Sequence, residues 1–151
     1  WLNHGGLCGD DTDGHIDTLV RLCDPGTLAY VSCDDPGDPA AAPLQRLEAE
    51  LQGLRTAAGG PYRLIPLPWP EARFAPDDGR RLPATYANFL ILNGAVLVPS
   101  YGDPSRDQAA QAALAKAFPC RTIEAIDCSA LLLQHGSLHC ATMQIPAAVF
   151  Q

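Results

Sequence analysis

The chain has 151 residues, 47% of them hydrophobic and 18% charged, a composition that fits one folded domain and excludes a disordered protein. Its formal net charge of −7 argues against nucleic acid as a partner and is compatible with a small cationic substrate. No segment approaches the roughly 18–20 apolar residues of a membrane-spanning helix, and no signal peptide is visible. Because an initiator methionine is also missing, we expect a piece of a longer polypeptide.

The first predicted elements are two strands, a helix and a third strand. They cover residues 15–22, 28–33, 38–58 and 62–67. Asp24-Pro25-Gly26 predicts the turn between the first two strands. Leucines spaced three and four residues apart predict one buried helix face, and Asp38 followed by Pro39 predicts the helix start. These leucines are Leu44, Leu47, Leu51 and Leu54.

The same order of elements returns in the second half of the chain. The predicted segments are residues 86–92, 95–99, 105–118 and 121–127. Asn93-Gly94 predicts a hairpin turn, and Asp103-Pro104 predicts the start of the second helix. A third round is expected from Leu131 through Cys140 to Pro146, and residues 70–83 form a long polar connection. The sequence therefore predicts a repeat architecture whose intact form contains more of the same unit.

Six cysteines are spread along the chain, and none of them forms a C-x-x-C pair. This spacing argues against a zinc ribbon and against a thioredoxin-type motif. Most of the cysteines stand in apolar, strand-like segments, where a free thiol behaves as a small hydrophobic side chain. We therefore expect a reduced, cytoplasmic protein, with a disulfide framework as the alternative.

His15 and Asp17 form the first candidate pair for chemistry. They stand two residues apart on a predicted strand, so both side chains are expected on the same face. A base and a carboxylate facing one cleft can serve catalysis. The alternative is a surface strand with ordinary polar alternation.

Three carboxylates, Asp10, Asp11 and Asp13, precede that pair in a glycine-flanked turn. A calcium site and a site for a cationic ligand are both conceivable. The EF-hand spacing is absent, which argues against the usual calcium loop. A simple turn stabilised by aspartate side chains is the alternative.

Cys140 is the candidate nucleophile. It ends the segment Gln134-His135-Gly136-Ser137-Leu138-His139-Cys140, where the glycine lets a substrate approach closely. The His and Cys spacings are too tight for a tetrahedral zinc site built from this segment alone. A core cysteine on a strand is the alternative. Asn88, which interrupts an apolar segment without a turn to explain it, could face a ligand.

Four short segments, taken together, carry a resemblance to a known family. In chain order they are Gly9-Asp10-Asp11-Thr12-Asp13-Gly14-His15-Ile16-Asp17, Tyr86-Ala87-Asn88-Phe89 with Asn93-Gly94-Ala95-Val96-Leu97-Val98-Pro99, Tyr101-Gly102-Asp103, and His139-Cys140-Ala141-Thr142-Met143-Gln144. They strongly resemble the agmatine deiminase and bacterial (Porphyromonas-type) peptidylarginine deiminase family. The resemblance covers nearly the whole chain.

The resemblance implies an α/β fold of the pentein type, a five-bladed propeller of strand-strand-helix-strand units. The chain looks like the C-terminal part of a single catalytic domain, residues 1–151, without the N-terminal part. The implied activity is a hydrolase acting on the C–N bonds of linear amidines. It would convert agmatine to N-carbamoylputrescine and ammonia, or peptidyl-arginine to citrulline.

By motif, Cys140 matches the family nucleophile and His15 matches the general acid–base. Asp17 matches a carboxylate that grips the guanidinium, and Asp11 matches a residue that lines the substrate pocket. The implied chemistry passes through a thiouronium on the cysteine and needs no metal and no organic cofactor. The segment before His139 departs from the glycine run of many agmatine deiminases, which leaves the recognition of the substrate's tail open.

The expected partner is a small cationic guanidine compound, with no nucleic acid and no membrane, and a homo-oligomer is one option. Two alternatives remain at this point. One is a non-catalytic guanidine-binding or structural fragment. The other is an amidinotransferase on the same fold, in which an amine replaces water.

Overall fold

The computed structural model describes residues 1–9 and 15–150. The fold is mixed α/β, with two helices and three small open sheets in the described part of the chain. Each three-stranded sheet belongs to one unit with the order strand, strand, helix, strand. Neither helix has the length and apolar character that crossing a membrane would require.

The first unit is built around a buried central strand. Its elements are β1 (Val20–Asp24), β2 (Thr27–Val31), α1 (Ala41–Gly53) and β3 (Arg63–Leu67). β2 pairs antiparallel with β1 and parallel with β3, so α1 serves as the crossover between parallel strands. Leu44, Leu47 and Leu51 are almost fully buried, which confirms the predicted helix face.

A short hairpin and the second unit follow. The hairpin strands are β4 (Arg73–Phe74) and β5 (Arg81–Leu82), and the second unit contains β6 (Leu90–Ile91), β7 (Ala95–Ser100), α2 (Pro104–Ala117) and β8 (Thr122–Asp127). β7 pairs antiparallel with β6 and parallel with β8, which repeats the topology of the first unit. The Asp103 carboxylate accepts the backbone N–H groups of Ser105 and Arg106 at 3.1 Å, which confirms the predicted start of α2.

Three of the predicted strands were wrong. The strand expected from residue 15 begins only at Val20, because Ile16–Thr18 forms a 3-10 turn in which Leu19 N–H bonds to the Ile16 carbonyl. The strand expected over residues 86–92 is limited to Leu90–Ile91. The third round does not form a strand in the described residues after 130, where Leu131–Gln134 is a 3-10 turn.

The helix α1 begins later than its sequence predicted. Asp38 does bind backbone N–H groups, since its carboxylate accepts Ala40 N–H at 2.8 Å and its carbonyl accepts Ala41 N–H at 2.9 Å. These bonds close a turn that precedes the helix rather than its first turn. The predicted start, with Asp38 as the N-cap and Pro39 as the first helical residue, was therefore two residues early.

The Asp38 carboxylate also fixes the long connection that was predicted over residues 70–83. The Arg81 guanidinium binds both carboxylate oxygens at 2.6 and 3.2 Å and lies over the Trp69 ring, whose Nε1–H donates to the same carboxylate at 2.9 Å. Burial alone would raise the pKa of Asp38, but the hydrogen bonds from Arg81, Ala40 and Trp69 outweigh it and lower the pKa to about 2.

We expect Arg81→Met to destabilise the chain by about 1–3 kcal/mol, because it leaves the Asp38 carboxylate without its charged partner. Urea denaturation of the 151-residue chain measures the change, with Arg63→Met on the exposed face of β3 as the matched control. The native pKa of Asp38 lies below its ordinary value of 3.8, so the ion pair stabilises the fold above that pH. The difference between wild type and Arg81→Met should therefore shrink as the pH falls from 4 towards 2. An equal free energy of unfolding at pH 7 would contradict the assignment.

Candidate active site

Asn88 lies at the centre of the candidate site and is fully buried. Its side-chain nitrogen donates to Asp17 Oδ2 at 3.1 Å and to Cys140 Sγ at 3.2 Å. Its side-chain oxygen accepts the backbone N–H groups of His139 at 2.8 Å and of Cys140 at 3.2 Å. One amide thus holds three distant segments of the chain together.

Asp17 is presented by the 3-10 turn Ile16–Thr18, rather than by the strand that its sequence predicted. Its Oδ2 lies 2.7 Å from Nδ1 of His139 and 3.6 Å from Sγ of Cys140. Burial raises the pKa of Asp17, but the hydrogen bond and charge of His139, the hydrogen bond from Cys140 and the charge of Arg21 together lower it. Because Asp17 is therefore ionised at neutral pH, the hydrogen in its short contact with His139 resides on Nδ1.

Cys140 is exposed, and its turn leaves no room for a side chain at Gly136. A Cβ placed on Gly136 would lie 2.8 Å from Cys140 Cβ and 3.3 Å from its sulfur. Glycine at this position therefore has a steric reason, which is the close approach of the Cys140 side chain within the same turn.

A buried polar contact anchors the segment that leads to Cys140. The hydroxyl groups of Ser137 and Tyr101 lie 2.9 Å apart, and Tyr101 donates to the Thr85 carbonyl at 2.8 Å. Thr85 in turn donates from Oγ1 to the carbonyl of Thr18, directly after the Asp17 position. This chain of hydrogen bonds connects the two sides of the site beneath its surface.

His15 directly precedes the turn that carries Asp17, and its side chain is exposed. Its carbonyl accepts the Thr18 hydroxyl at 3.0 Å, which holds the backbone of the turn. The expected pairing of His15 and Asp17 on one strand face was wrong, because both belong to the irregular segment before β1. Asp11 lies outside the described residues.

Two residues of the site were not assigned to it from the sequence. Asn88 was expected to face a ligand because it is a polar residue in an apolar segment, whereas its fully buried side chain contacts Asp17 and Cys140 in the structure. His139 had the simpler signal of standing next to the candidate nucleophile. Its partner Asp17 is 122 residues away, and no local pattern indicates that contact.

The described side chains of the site offer a thiol, a carboxylate, an imidazole and an amide. In the described residues, no group of three His, Cys, Asp or Glu side chains could hold a metal ion. All six cysteines are free thiols. An ionised carboxylate next to a thiol can bind a small cation through charge-assisted hydrogen bonds. The thiolate can then attack the bound cation as a nucleophile.

We expect Asn88→Asp to destabilise the chain by at least ~2 kcal/mol, because it removes both N–H donors and buries a second carboxylate next to Asp17. Asn93→Asp makes the same change in an exposed turn and should leave stability almost unchanged. Urea denaturation at pH 7 compares the two variants. Repeating it at pH 4 should reduce the effect at position 88, because the new carboxyl group can then be neutral. Equal stability of the two variants at pH 7 would show that the Asn88 amide does not hold the site together.

Comparison with known proteins finds relatives that match nearly the whole chain. The family model of the Porphyromonas-type peptidyl-arginine deiminase matches residues 1–146. The agmatine deiminase of Stutzerimonas stutzeri is 36% identical to the chain, over 97% of the chain and 44% of that relative. The chain thus spans less than half the length of the curated relatives it matches.

Two solved structures show the same fold at higher identity. One, from Porphyromonas gingivalis and described as a candidate arginine deiminase, is 55% identical, with a TM-score of 0.91 over 97% of this chain and 42% of its own. The other is the agmatine deiminase of C. jejuni, 41% identical, with a TM-score of 0.81 over 93% of this chain and 40% of its own. Both likenesses extend over nearly all of the described residues.

Proposed function

Because the chain belongs to the Porphyromonas-type peptidyl-arginine deiminase family, we propose that it is the C-terminal part of a pentein-type catalytic domain that hydrolyses a guanidine group. The observation that carries the proposal is the 3.6 Å contact between Cys140 Sγ and the ionised Asp17 carboxylate, both held by Asn88. The two strand-strand-helix-strand units support the fold part of the proposal, since a pentein-type propeller is built from repeated units of that order.

In the proposed reaction Asp17 accepts N–H groups of the planar guanidinium and holds its central carbon near the sulfur. The Cys140 thiolate adds to that carbon, and the C–N bond to one amino group then breaks to release ammonia. The product of this half-reaction is a thiouronium on Cys140. Water then adds to the same carbon, the C–S bond breaks, and a ureido group leaves with the thiolate restored.

His15 is proposed as the proton carrier of both half-reactions. It donates a proton to the departing amino group, which leaves as ammonia, and afterwards removes a proton from the attacking water. Its exposed imidazole is compatible with exchange of protons with solvent. Asp11, next to the same turn in sequence, is proposed to line the substrate pocket. No metal ion and no organic cofactor enters any step.

The substrate is proposed to be a small guanidine compound, either agmatine, giving N-carbamoylputrescine, or peptidyl-arginine, giving citrulline. Both carry the cation that Asp17 would bind, and the acidic net charge of −7 suits a cationic ligand. A cytoplasmic location, the absence of nucleic acid and membrane partners, and assembly into a homo-oligomer remain predictions.

The test compares the 151-residue chain with a longer polypeptide that contains it. Each is incubated with agmatine, free arginine and an arginine peptide, ammonia is measured, and the ureido product is identified by mass spectrometry. Release of ammonia with a ureido product supports the deiminase. Transfer to an added amine without ammonia indicates amidinotransferase chemistry, and binding without any product indicates a non-catalytic module.

A further inference from the structure

Arg21 is a half-buried cation that lies behind the candidate site. It stands on β1, four residues after Asp17. One guanidinium nitrogen donates to the Phe89 carbonyl at 2.6 Å, and the guanidinium carbon lies 4.9 Å from the centre of the Phe89 ring. Phe89 is fully buried and directly follows Asn88, so Arg21 holds the backbone that presents the central amide.

The charge of Arg21 also reaches the reacting groups. It interacts electrostatically with Asp17 and Cys140, and with Cys23 on its own strand. Burial lowers the pKa of Arg21, and these three groups counteract that effect. Even so, a guanidinium stays charged at any ordinary pH.

Without a bound substrate, a thiolate at Cys140 would lie next to the Asp17 carboxylate, and the positive charge of Arg21 can offset the repulsion between these two anions. In the structure the Cys140 sulfur lies 3.6 Å from Asp17 Oδ2, so a thiolate formed there would face an anion. Among the described residues, Arg21, His139 and the buried Tyr101 also act on this pair, and His139 is already engaged by Asp17 at 2.7 Å. A fixed positive charge nearby offsets the repulsion.

We propose that Arg21 is a positioning residue that allows a thiolate at Cys140 beside an ionised Asp17, by holding the Asn88–Phe89 backbone and by supplying a permanent positive charge. The proposal rests on the proposed role of Cys140 as nucleophile. Its test measures the thiol alone, so it can fail or succeed independently of deiminase turnover. A bound guanidinium substrate would offset this repulsion with its own positive charge. The effect of Arg21 on the Cys140 thiolate is therefore expected to be largest when no substrate is bound.

The experiment is alkylation of the 151-residue chain by iodoacetamide, a neutral reagent, with peptide mass spectrometry that separates Cys140 from Cys128. Arg21→Met removes the charge, and Arg21→Lys keeps it while losing the planar stack. Arg121→Met is the matched control, because Arg121 stacks on Phe118 in the same way, at 5.5 Å. Rates are measured at pH 7 and at pH 9.5, and thermal unfolding confirms that each variant is folded.

We expect Arg21→Met to slow alkylation of Cys140 about fivefold at pH 7 and less than twofold at pH 9.5, since a nearby cation acts on the thiolate fraction. Arg21→Lys should stay within a factor of two of wild type at both pH values, and so should the Arg121→Met control. Wild-type rates for Arg21→Met at pH 7 would overturn the proposal. Equal slowing by both Arg21 variants at both pH values, or unfolding of both, would also overturn it, because either result makes Arg21 a purely structural residue.

Discussion

Replacing Cys140 with alanine in the longer polypeptide is expected to abolish ammonia release from the guanidine substrate. Without the sulfur no covalent intermediate forms, and none of the neighbouring groups described here can take its place. Because Cys140 is exposed, its replacement should change the free energy of unfolding by less than about 1 kcal/mol. Lost activity would therefore reflect lost chemistry rather than lost structure.

Ammonia release by Cys140→Ala is compared with that of Cys120→Ala, which makes the same change at another exposed cysteine. The control should keep wild-type turnover. Binding of the substrate to Cys140→Ala, measured by calorimetry, should persist, because Asp17 remains in place. Turnover of Cys140→Ala at the wild-type rate would end the deiminase mechanism proposed here.

His15→Ala is expected to slow turnover by at least ~100-fold, the usual scale of general acid–base catalysis. The leaving amino group would depart without a proton, and water would attack the thiouronium without a base. Both half-reactions slow, so the test follows kcat for ammonia release and, by mass spectrometry of the quenched enzyme, the amount of covalent adduct.

His4→Ala is the matched control for His15, since it removes another exposed imidazole in the N-terminal segment. It should not change kcat. A change within a factor of two for His15→Ala would count against His15 and would direct attention to His139 as the proton carrier. In that case His139→Ala is the next variant to measure, because Nδ1 of His139 lies 2.7 Å from Asp17 Oδ2.

The regular elements could be predicted from the sequence because their signals are local. The buried leucine face of α1 follows from spacings of three and four residues, and the Asp103-Pro104 start of α2 follows from capping chemistry. The turn around Asp17 gave no such signal, because its residues alternate in polarity as a strand does. Its backbone forms a 3-10 turn whose N–H groups bind the His15 and Ile16 carbonyls.

The site itself was only partly predictable, since its contacts are between residues far apart in sequence. Cys140 and Asp17 were candidates from their residue types and from the resemblance. The geometry that joins them depends on Asn88, which is 71 residues from Asp17 and 52 from Cys140. An asparagine in an apolar segment indicates a buried polar contact, but its partners are decided by tertiary packing.

The connection from Asp17 to His139 also constrains the order of folding. It closes a loop of 122 residues, whereas the pairings within each sheet join nearer segments. Loop-closure entropy is overcome only after both sheets and their helices are formed, so we expect the site to assemble last. Partial loosening of one unit against the other would then dismantle the site while both sheets survive. Under mild denaturing conditions we therefore expect the contact between Asp17 and His139 to be lost while the secondary structure stays intact.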